Sequence, residues 1–360
     1  MKPTVSIVLV VYNGQPYLEI CLDSLRQTLP ADAELLVVDN GSTDGSPALV
    51  RERMPEARLL VNRANRGFAS ACNQVAGIAQ GEVLIFLNQD TCVEPGWLEA
   101  LLEPLQNPTV GLTTPTILWM EKPERIQSCG QVVHYTGLVF ARNFGALRSA
   151  ITETFPTDVA AVSGAAFAVR RDVWEKLNGF CEAFFMYYEE TDLSWRAQRA
   201  GYRCLHVPLS VVHHAGRLDR PSPVALYYSF RNRLLMIWRN WGRRTLSLLG
   251  PALYLADRIE WGLALARGKA GLAAKFRAGL WLRANRRDLL LWAGAQAGSD
   301  AVDAVILANR EWRLSPHVLT GGWLGRPLIA LCEALFYRFW KRALRTLRAE
   351  TPDASGVPDY

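Results

Sequence analysis

The chain has 360 residues and a mass of 40.2 kDa, long enough to bury a large core in one or two domains. Half of its residues are apolar and 21% are charged, which excludes wholesale disorder. The formal net charge of +6 conceals two regions of opposite sign. Residues 1–216 hold 17 Lys/Arg and 23 Asp/Glu, whereas 217–350 hold 23 and 9 together with eight of the twelve tryptophans.

Seven cysteines without a CxxC pair argue against a zinc cage or a disulfide framework and fit a reducing cytosol. The opening MKPTVSIVLVVYNG reads as a first strand rather than a signal peptide. Apolar strands then alternate with helical patterns. Strands are predicted at 5–11, 34–38, 58–61 and 83–87, and helices at 15–27, 44–53 and 68–79. This rhythm predicts an α/β domain over 1–216, with a mostly parallel central sheet flanked by helices. Ligands in such sheets sit at the carboxyl ends of the strands. Polar clusters fall there: Tyr12-Asn13-Gly14, Asp39-Asn40-Gly41-Ser42 and Asn88-Gln89-Asp90.

Beyond 107–160, which reads as short strands and loops, a helix is predicted over 189–200, with acids at its start where the helix dipole favours them. Short strands follow at 203–207 and 210–213. From about residue 217 the pattern turns helical, and 351–360 reads as a flexible tail. No run reaches the ~18 uninterrupted apolar residues of a membrane span. The longest, Thr245 to Ala256, stops at Asp257, Arg258 and Glu260. Residues 327–340 read as an amphipathic helix with Leu328, Leu331, Cys332, Leu335 and Phe339 on its apolar face.

There is no GxGxxG after the first strand and no GxxxxGK[ST]. A nucleotide site here would need a metal ion to neutralise phosphates. VVYNG (10–14), VVDNGSTDGS (37–46), NRGFASACN (65–73) and LNQD (87–90) then appear in order, followed by SGAAF (163–167), GFCEAFFMYYEETDLSWRAQRAGY (179–202) and VVHHAG (211–216). Together these resemble the inverting family-2 glycosyltransferases of GT-A fold, in the rhamnosyltransferase-like branch that builds bacterial surface polysaccharides on lipid carriers.

The resemblance implies a role for each piece. Asp39 would accept the imide N–H of uracil or thymine, with Tyr12 packed on the base and Asn13 beside it; the alternative for Asp39 is a turn or helix cap. In the donor-site loop Asn65-Arg66-Gly67, Arg66 would meet phosphate and Gly67 would let the backbone approach the ligand, and Asn73 would reach back to the same loop. Asp90, where the family has its DxD motif, would hold Mg²⁺ or Mn²⁺; Asn88 replaces a more usual Asp. His213 would be a further metal ligand, with His214 as rival. Leu218 stands where relatives often have Ser. Ser163, Gly164 and Ala165 would lie near the donor sugar. Glu190 would be the general base, as Glu in place of Asp, which moves the carboxylate by up to about 1.5 Å if extended. Asp192 and Glu189 are the alternatives, and Asp192 can instead pair with Arg196 on one helix face. Trp174, Phe185 and Tyr187 would line an acceptor groove, or else belong to the core.

The resulting expectation is transfer of a sugar, L-rhamnose from dTDP-rhamnose first and other UDP- or GDP-linked sugars next, to a saccharide hydroxyl on a polyprenyl diphosphate. A nucleotide- or glycan-binding relative without turnover is the alternative. The basic, Trp-rich region suits a peripheral protein on the cytosolic face of an anionic membrane, and a packed helical domain or a homo-oligomer would also use it. Nucleic acid is not an expected partner, since nothing beyond charge supports it.

Overall fold

The computed structural model describes residues 4–216, 222–289, 300–314 and 325–349. The tail 351–360 and Leu218 lie outside these. Two compact units emerge: 1–131 with 141–219, and 132–140 with 220–360.

The first unit begins with β1 (Val5–Val11), α1 (Tyr17–Thr28), β2 (Ala33–Asp39), α2 (Ser46–Arg53), β3 (Arg58–Val61), α3 (Phe68–Ala76) and β4 (Val83–Asn88). Short β5 (Thr91–Val93) and α4 (Trp97–Leu102) lead to the long β6 (Val110–Trp119) and to β7 (Ile126–Ser128). After a ribbon of β8 (Gln131–Val133) and β9 (Val139–Ala141) come β10 (Thr157–Asp158), β11 (Ala166–Arg170), α5 (Arg171–Lys176), α6 (Glu189–Arg199) and β12 (Arg203–His214).

The sheet order is β10-β12-β6-β11-β4-β1-β2-β3. The run β3, β2, β1, β4 is parallel, as the alternating rhythm predicts. β11 then runs antiparallel to both β4 and β6, so the sheet is mixed. β1 is buried along its whole length and splits its side chains by alternation. Ile7, Leu9 and Val11 pack with α1 residues Leu18, Cys21 and Leu22, while Val8 and Val10 pack with α3 residues Ala69, Cys72 and Val75. A strand buried on both faces reads as a continuous apolar run, which is why VSIVLVV is legible.

The two short strands predicted at 203–207 and 210–213 are one strand. β12 follows β6 from Arg203 to Val207, bulges, and resumes at Val211 opposite Thr116. Pro208 sits in the bulge, where its missing N–H costs no ladder bond, and its carbonyl accepts from Thr116 Oγ1 at 3.3 Å.

The second unit is helical: α7 (Pro223–Asn240), α8 (Arg243–Ala266), α9 (Gly268–Ala284), and helices at Asp300–Ala308 and Gly325–Ala349. No described helix is long and apolar enough to cross a membrane. Of the charges that interrupt the apolar run of α8, Arg258 is exposed and Asp257 half-buried, and Glu260 points inward. Glu260 receives Arg233 Nε at 2.6 Å and Lys275 Nζ at 2.5 Å, all three nearly buried. The last helix turns a different face inward from that predicted. Leu328 and Leu331 are exposed, whereas Cys332, Phe336, Ala343 and Leu347 are buried. Phe336 sets this rotation: its ring meets the edges of His134 and Tyr135, and its carbonyl accepts the Tyr135 hydroxyl at 2.9 Å.

Candidate functional site

The carboxyl ends of β1, β2 and β4 lie side by side, and residues at or just beyond them, Tyr12, Asn40, Asn88 and Gln89, line a cleft of about 220 Å³ together with Asn65 and Phe185, among others. Tyr12 is held by its own backbone: its N–H donates to Gln89 Oε1 at 2.7 Å, and its carbonyl accepts Gln89 Nε2 at 3.0 Å. The ring is left half exposed. Asn13 takes a left-handed φ of 49° and locks the next loop, accepting Thr43 N–H at 2.9 Å.

Asp39 is buried, and its two oxygens do different things. Oδ2 accepts the N–H groups of Gly41 and Ser42 at 3.3 and 3.1 Å, which is the turn reading. Oδ1 is buried without a hydrogen-bond partner among the described residues. Such an acceptor costs free energy until a donor arrives. The carboxylate therefore builds the turn with one oxygen and keeps the other unused.

Asn40, which the sequence reading passed over beside Asp39, ties the neighbouring loop to this strand end. Its Nδ2 donates to Asn65 Oδ1 at 3.1 Å, and its Oδ1 accepts the N–H of Arg66 at 3.1 Å. Asn65 Oδ1 also accepts Gly67 N–H at 2.8 Å. Arg66 is exposed at the rim. Gly67, at φ 86°, has a packing reason: a Cβ there would lie 2.6 Å from the Phe185 ring. Asn73 does not reach this loop. It exchanges hydrogen bonds at 2.9 Å with the backbone of Phe180, anchoring α3 to the segment before α6.

Asp90 pairs with His214, not His213: His214 Nε2 lies 3.2 Å from Asp90 Oδ1, and Asn88 Nδ2 lies 3.4 Å from the same nitrogen. His213 instead faces Glu94 at 2.8 Å, which also holds Arg148. The cause is strand alternation, since neighbouring residues of β12 point to opposite faces. Burial pushes the Asp90 carboxyl up, but the His214 hydrogen bond and charge outweigh it and hold it below the usual carboxylate range. No group of three or more His, Cys, Asp or Glu side chains surrounds a metal position among the described residues. The Asp90 carboxylate and the His214 imidazole are nonetheless donor types that Mg²⁺ or Mn²⁺ takes, with the Asn88 amide beside them.

The loop Ser163-Gly164-Ala165 joins the two halves of the site. Ala165 carbonyl accepts Asn88 N–H at 3.0 Å, and Ser163 N–H donates to Thr114 Oγ1 at 3.1 Å. A Cβ on Gly164 would lie 3.2 Å from Glu190 Cδ, so the glycine makes room for that side chain.

Glu190 lies in the first turn of α6 and is almost buried. Its Oε1 accepts Gln131 Nε2 at 2.6 Å, and Gln131 is itself held by Thr191 Oγ1 at 2.6 Å. Burial raises its pKa, while the Gln131 bond and the helix N–H groups pull it down. Glu189 is more deeply buried, with Oε2 unpartnered, and burial followed by the Glu190 and Asp192 charges lifts it well above its ordinary value. Asp192 is fully buried and bound to Arg196 Nε at 2.8 Å, while Arg196 also donates to the carbonyls of Leu177 and Gly179. Asp192 thus makes the buried helix-face pair with Arg196 that its spacing predicts.

The aromatics divide. Trp174 is core, with its ring centre 4.7 Å from Phe86 and 4.9 Å from Phe180, so it is no acceptor contact. Phe185 lines the cleft beside Tyr12. Tyr187 is exposed, and burial together with the charges of Glu189, Asp90 and Glu190 raises its hydroxyl. Phe185, Tyr187 and Tyr188 all hold φ between 65° and 75°, a concentration of backbone strain directly before α6.

The model of "Glycosyl transferase family 2" matches residues 6–177. An N-acetylglucosaminyl-diphospho-decaprenol L-rhamnosyltransferase of Mycobacterium tuberculosis is 32% identical over 251 residues, 62% of this chain and 80% of that protein. The O-antigen biosynthesis protein RfbC of Myxococcus xanthus is 30% identical over 63% of this chain and 18% of its own length. Among solved structures, GalNAc-T7 with UDP, GalNAc and Mn²⁺ superposes with a TM-score of 0.55 at 21% identity, over 66% of this chain and 48% of that one. S. aureus TarS 1–349 with UDP-GlcNAc superposes with a TM-score of 0.53 at 16% identity, over 97% and 92%. Their likeness is one of fold.

Proposed function

The chain belongs to glycosyl transferase family 2, and from that premise we propose that it transfers L-rhamnose from dTDP-rhamnose to a hydroxyl of a saccharide carried on a polyprenyl diphosphate, with inversion. The observation that carries the donor half is the divided carboxylate of Asp39. One oxygen builds the turn, and the other is buried and lacks a donor, which the imide N–H of thymine would supply. Tyr12 offers a ring beside it. The acceptor half rests on the relative that acts on N-acetylglucosaminyl-diphospho-decaprenol.

Asp90 and His214, with Asn88, would hold Mg²⁺ or Mn²⁺. Bound there, the ion would offset the negative charge of the diphosphate leaving group. Arg66 at the rim adds a cation for phosphate.

Glu190 is the general base. Its Oε1 is fixed by Gln131, and its Oε2 accepts no hydrogen bond from a described side chain. The acceptor hydroxyl gives its proton to this carboxylate as its oxygen bonds to the anomeric carbon. The bond from that carbon to the diphosphate oxygen breaks on the opposite side, and dTDP leaves with the electron pair. A carboxyl raised by burial is a stronger base at the pH where it works.

The test is turnover of dTDP-L-rhamnose with polyprenyl-diphospho-N-acetylglucosamine in Mn²⁺. The expected product has the inverted anomeric configuration, and Glu190→Gln should abolish it. Transfer only from UDP- or GDP-linked sugars would replace the donor. Tight dTDP binding with no transfer to any saccharide would favour a binding protein without turnover.

A further inference from the structure

Helix α9 has two unlike faces. Gly271, Ala274, Lys275, Ala278 and Leu282 are buried in the helical unit. On the opposite side Lys269, Phe276, Arg277, Leu280 and Arg283 form one exposed stripe at helical spacing. Phe276 is 61% exposed and Leu280 53%, one turn apart. The helix contains no acidic residue. Large exposed apolar side chains flanked by cations are the pattern of a helix lying in a bilayer interface. Beside the stripe, Arg277 borders a cleft of about 260 Å³ between α7 and α9, lined by Val224, Tyr227, Ala270 and Ala273 among others.

We propose that this face docks on an anionic phospholipid bilayer. Phe276 and Leu280 enter the boundary between headgroups and acyl chains. Lys269, Arg277 and Arg283 meet lipid phosphates, and the adjoining cleft receives a headgroup beside Arg277. Charge selects the bilayer over a second copy of the chain. A symmetric contact through this stripe would set cations against cations, with no acid on the helix to answer them. Docking needs neither sugar donor nor acceptor, so it stands or falls separately from the proposed transfer.

The test is co-sedimentation of the full-length protein with vesicles of phosphatidylcholine alone or mixed with phosphatidylglycerol, alongside light scattering without lipid. Binding should require phosphatidylglycerol and weaken with salt. Phe276→Ser with Leu280→Ser should weaken it by about tenfold. Arg277→Gln with Arg283→Gln should weaken it by about fivefold per charge. An unchanged circular dichroism spectrum and melting temperature report that each variant is folded; if the apolar pair misfolds, the arginine pair decides alone. Absence of vesicle binding at low salt, or equal binding by folded variants, overturns the proposal. So does a dimer in solution that Phe276→Ser with Leu280→Ser converts to monomer.

Discussion

Gln131 Nε2 donates to Glu190 Oε1 at 2.6 Å, and the same glutamine accepts Thr191 Oγ1 at 2.6 Å. The amide thus clamps one oxygen of the carboxylate that the proposed mechanism makes the base. Gly164 provides the space for this side chain, since a Cβ there would lie 3.2 Å from Glu190 Cδ. Gln131→Ala should lower kcat/KM by roughly ten- to hundredfold with little change in donor KM. The lost bond favours the carboxylate, so its removal should move the acid limb of the rate profile to higher pH. A pH profile of wild type and variant checks both.

Glu189 should act through its proton. Its folded pKa is raised well above the ordinary value, first by burial and then by its charged neighbours. The stability this contributes is complete below the unfolded pKa of about 4.3 and is lost as pH rises through the folded value. Glu189→Gln keeps the shape and removes the titration. Calorimetry should give nearly equal Tm values near pH 4 and a higher Tm for the variant near pH 8. Turnover should stay within about tenfold of wild type; a drop like that of Glu190→Gln would make Glu189 the base.

Asp39→Asn keeps a turn acceptor but places either an amide donor or a weaker acceptor toward the base. Affinity for dTDP, measured by titration calorimetry with Mn²⁺, should fall by roughly tenfold to hundredfold. Unchanged affinity would remove Asp39 from base recognition.

The adjacent histidines should separate cleanly. His214→Ala should lose the Mn²⁺-dependent part of dTDP binding, because it removes the imidazole beside Asp90. His213→Ala should retain it, losing only a contact to a carboxylate that Arg148 still holds. The opposite pattern would return the metal to His213.

Asp192→Asn should cost about 3 kcal/mol of stability by leaving Arg196 buried without its ion partner. Chemical denaturation should show this loss, while the remaining folded fraction keeps its rate per molecule. Folded but inactive protein would give Asp192 a part in the chemistry.

Much of this molecule was legible from local pattern. VSIVLVV is apolar throughout because both faces of β1 are covered, and the polar clusters after β1, β2 and β4 could fall only at strand ends. Asp39, Asp90 and Glu190 stand out because each lies in a recognisable segment, VVDNGSTDGS, LNQD and YYEETD. What sequence left open was direction and partnership. His213 and His214 differ by one step along a strand, and only the register with β5 and β6 decides which one meets Asp90. Trp174 reads equally as groove or core until Phe86 and Phe180 close on it, and Asn73 finds its partner 107 residues away. Gln131 carries no motif, since an amide becomes a clamp only when a distant helix brings a carboxylate to it. Composition and periodicity are properties of a segment, whereas the choice between chemically equal neighbours depends on what packs against them from elsewhere in the chain.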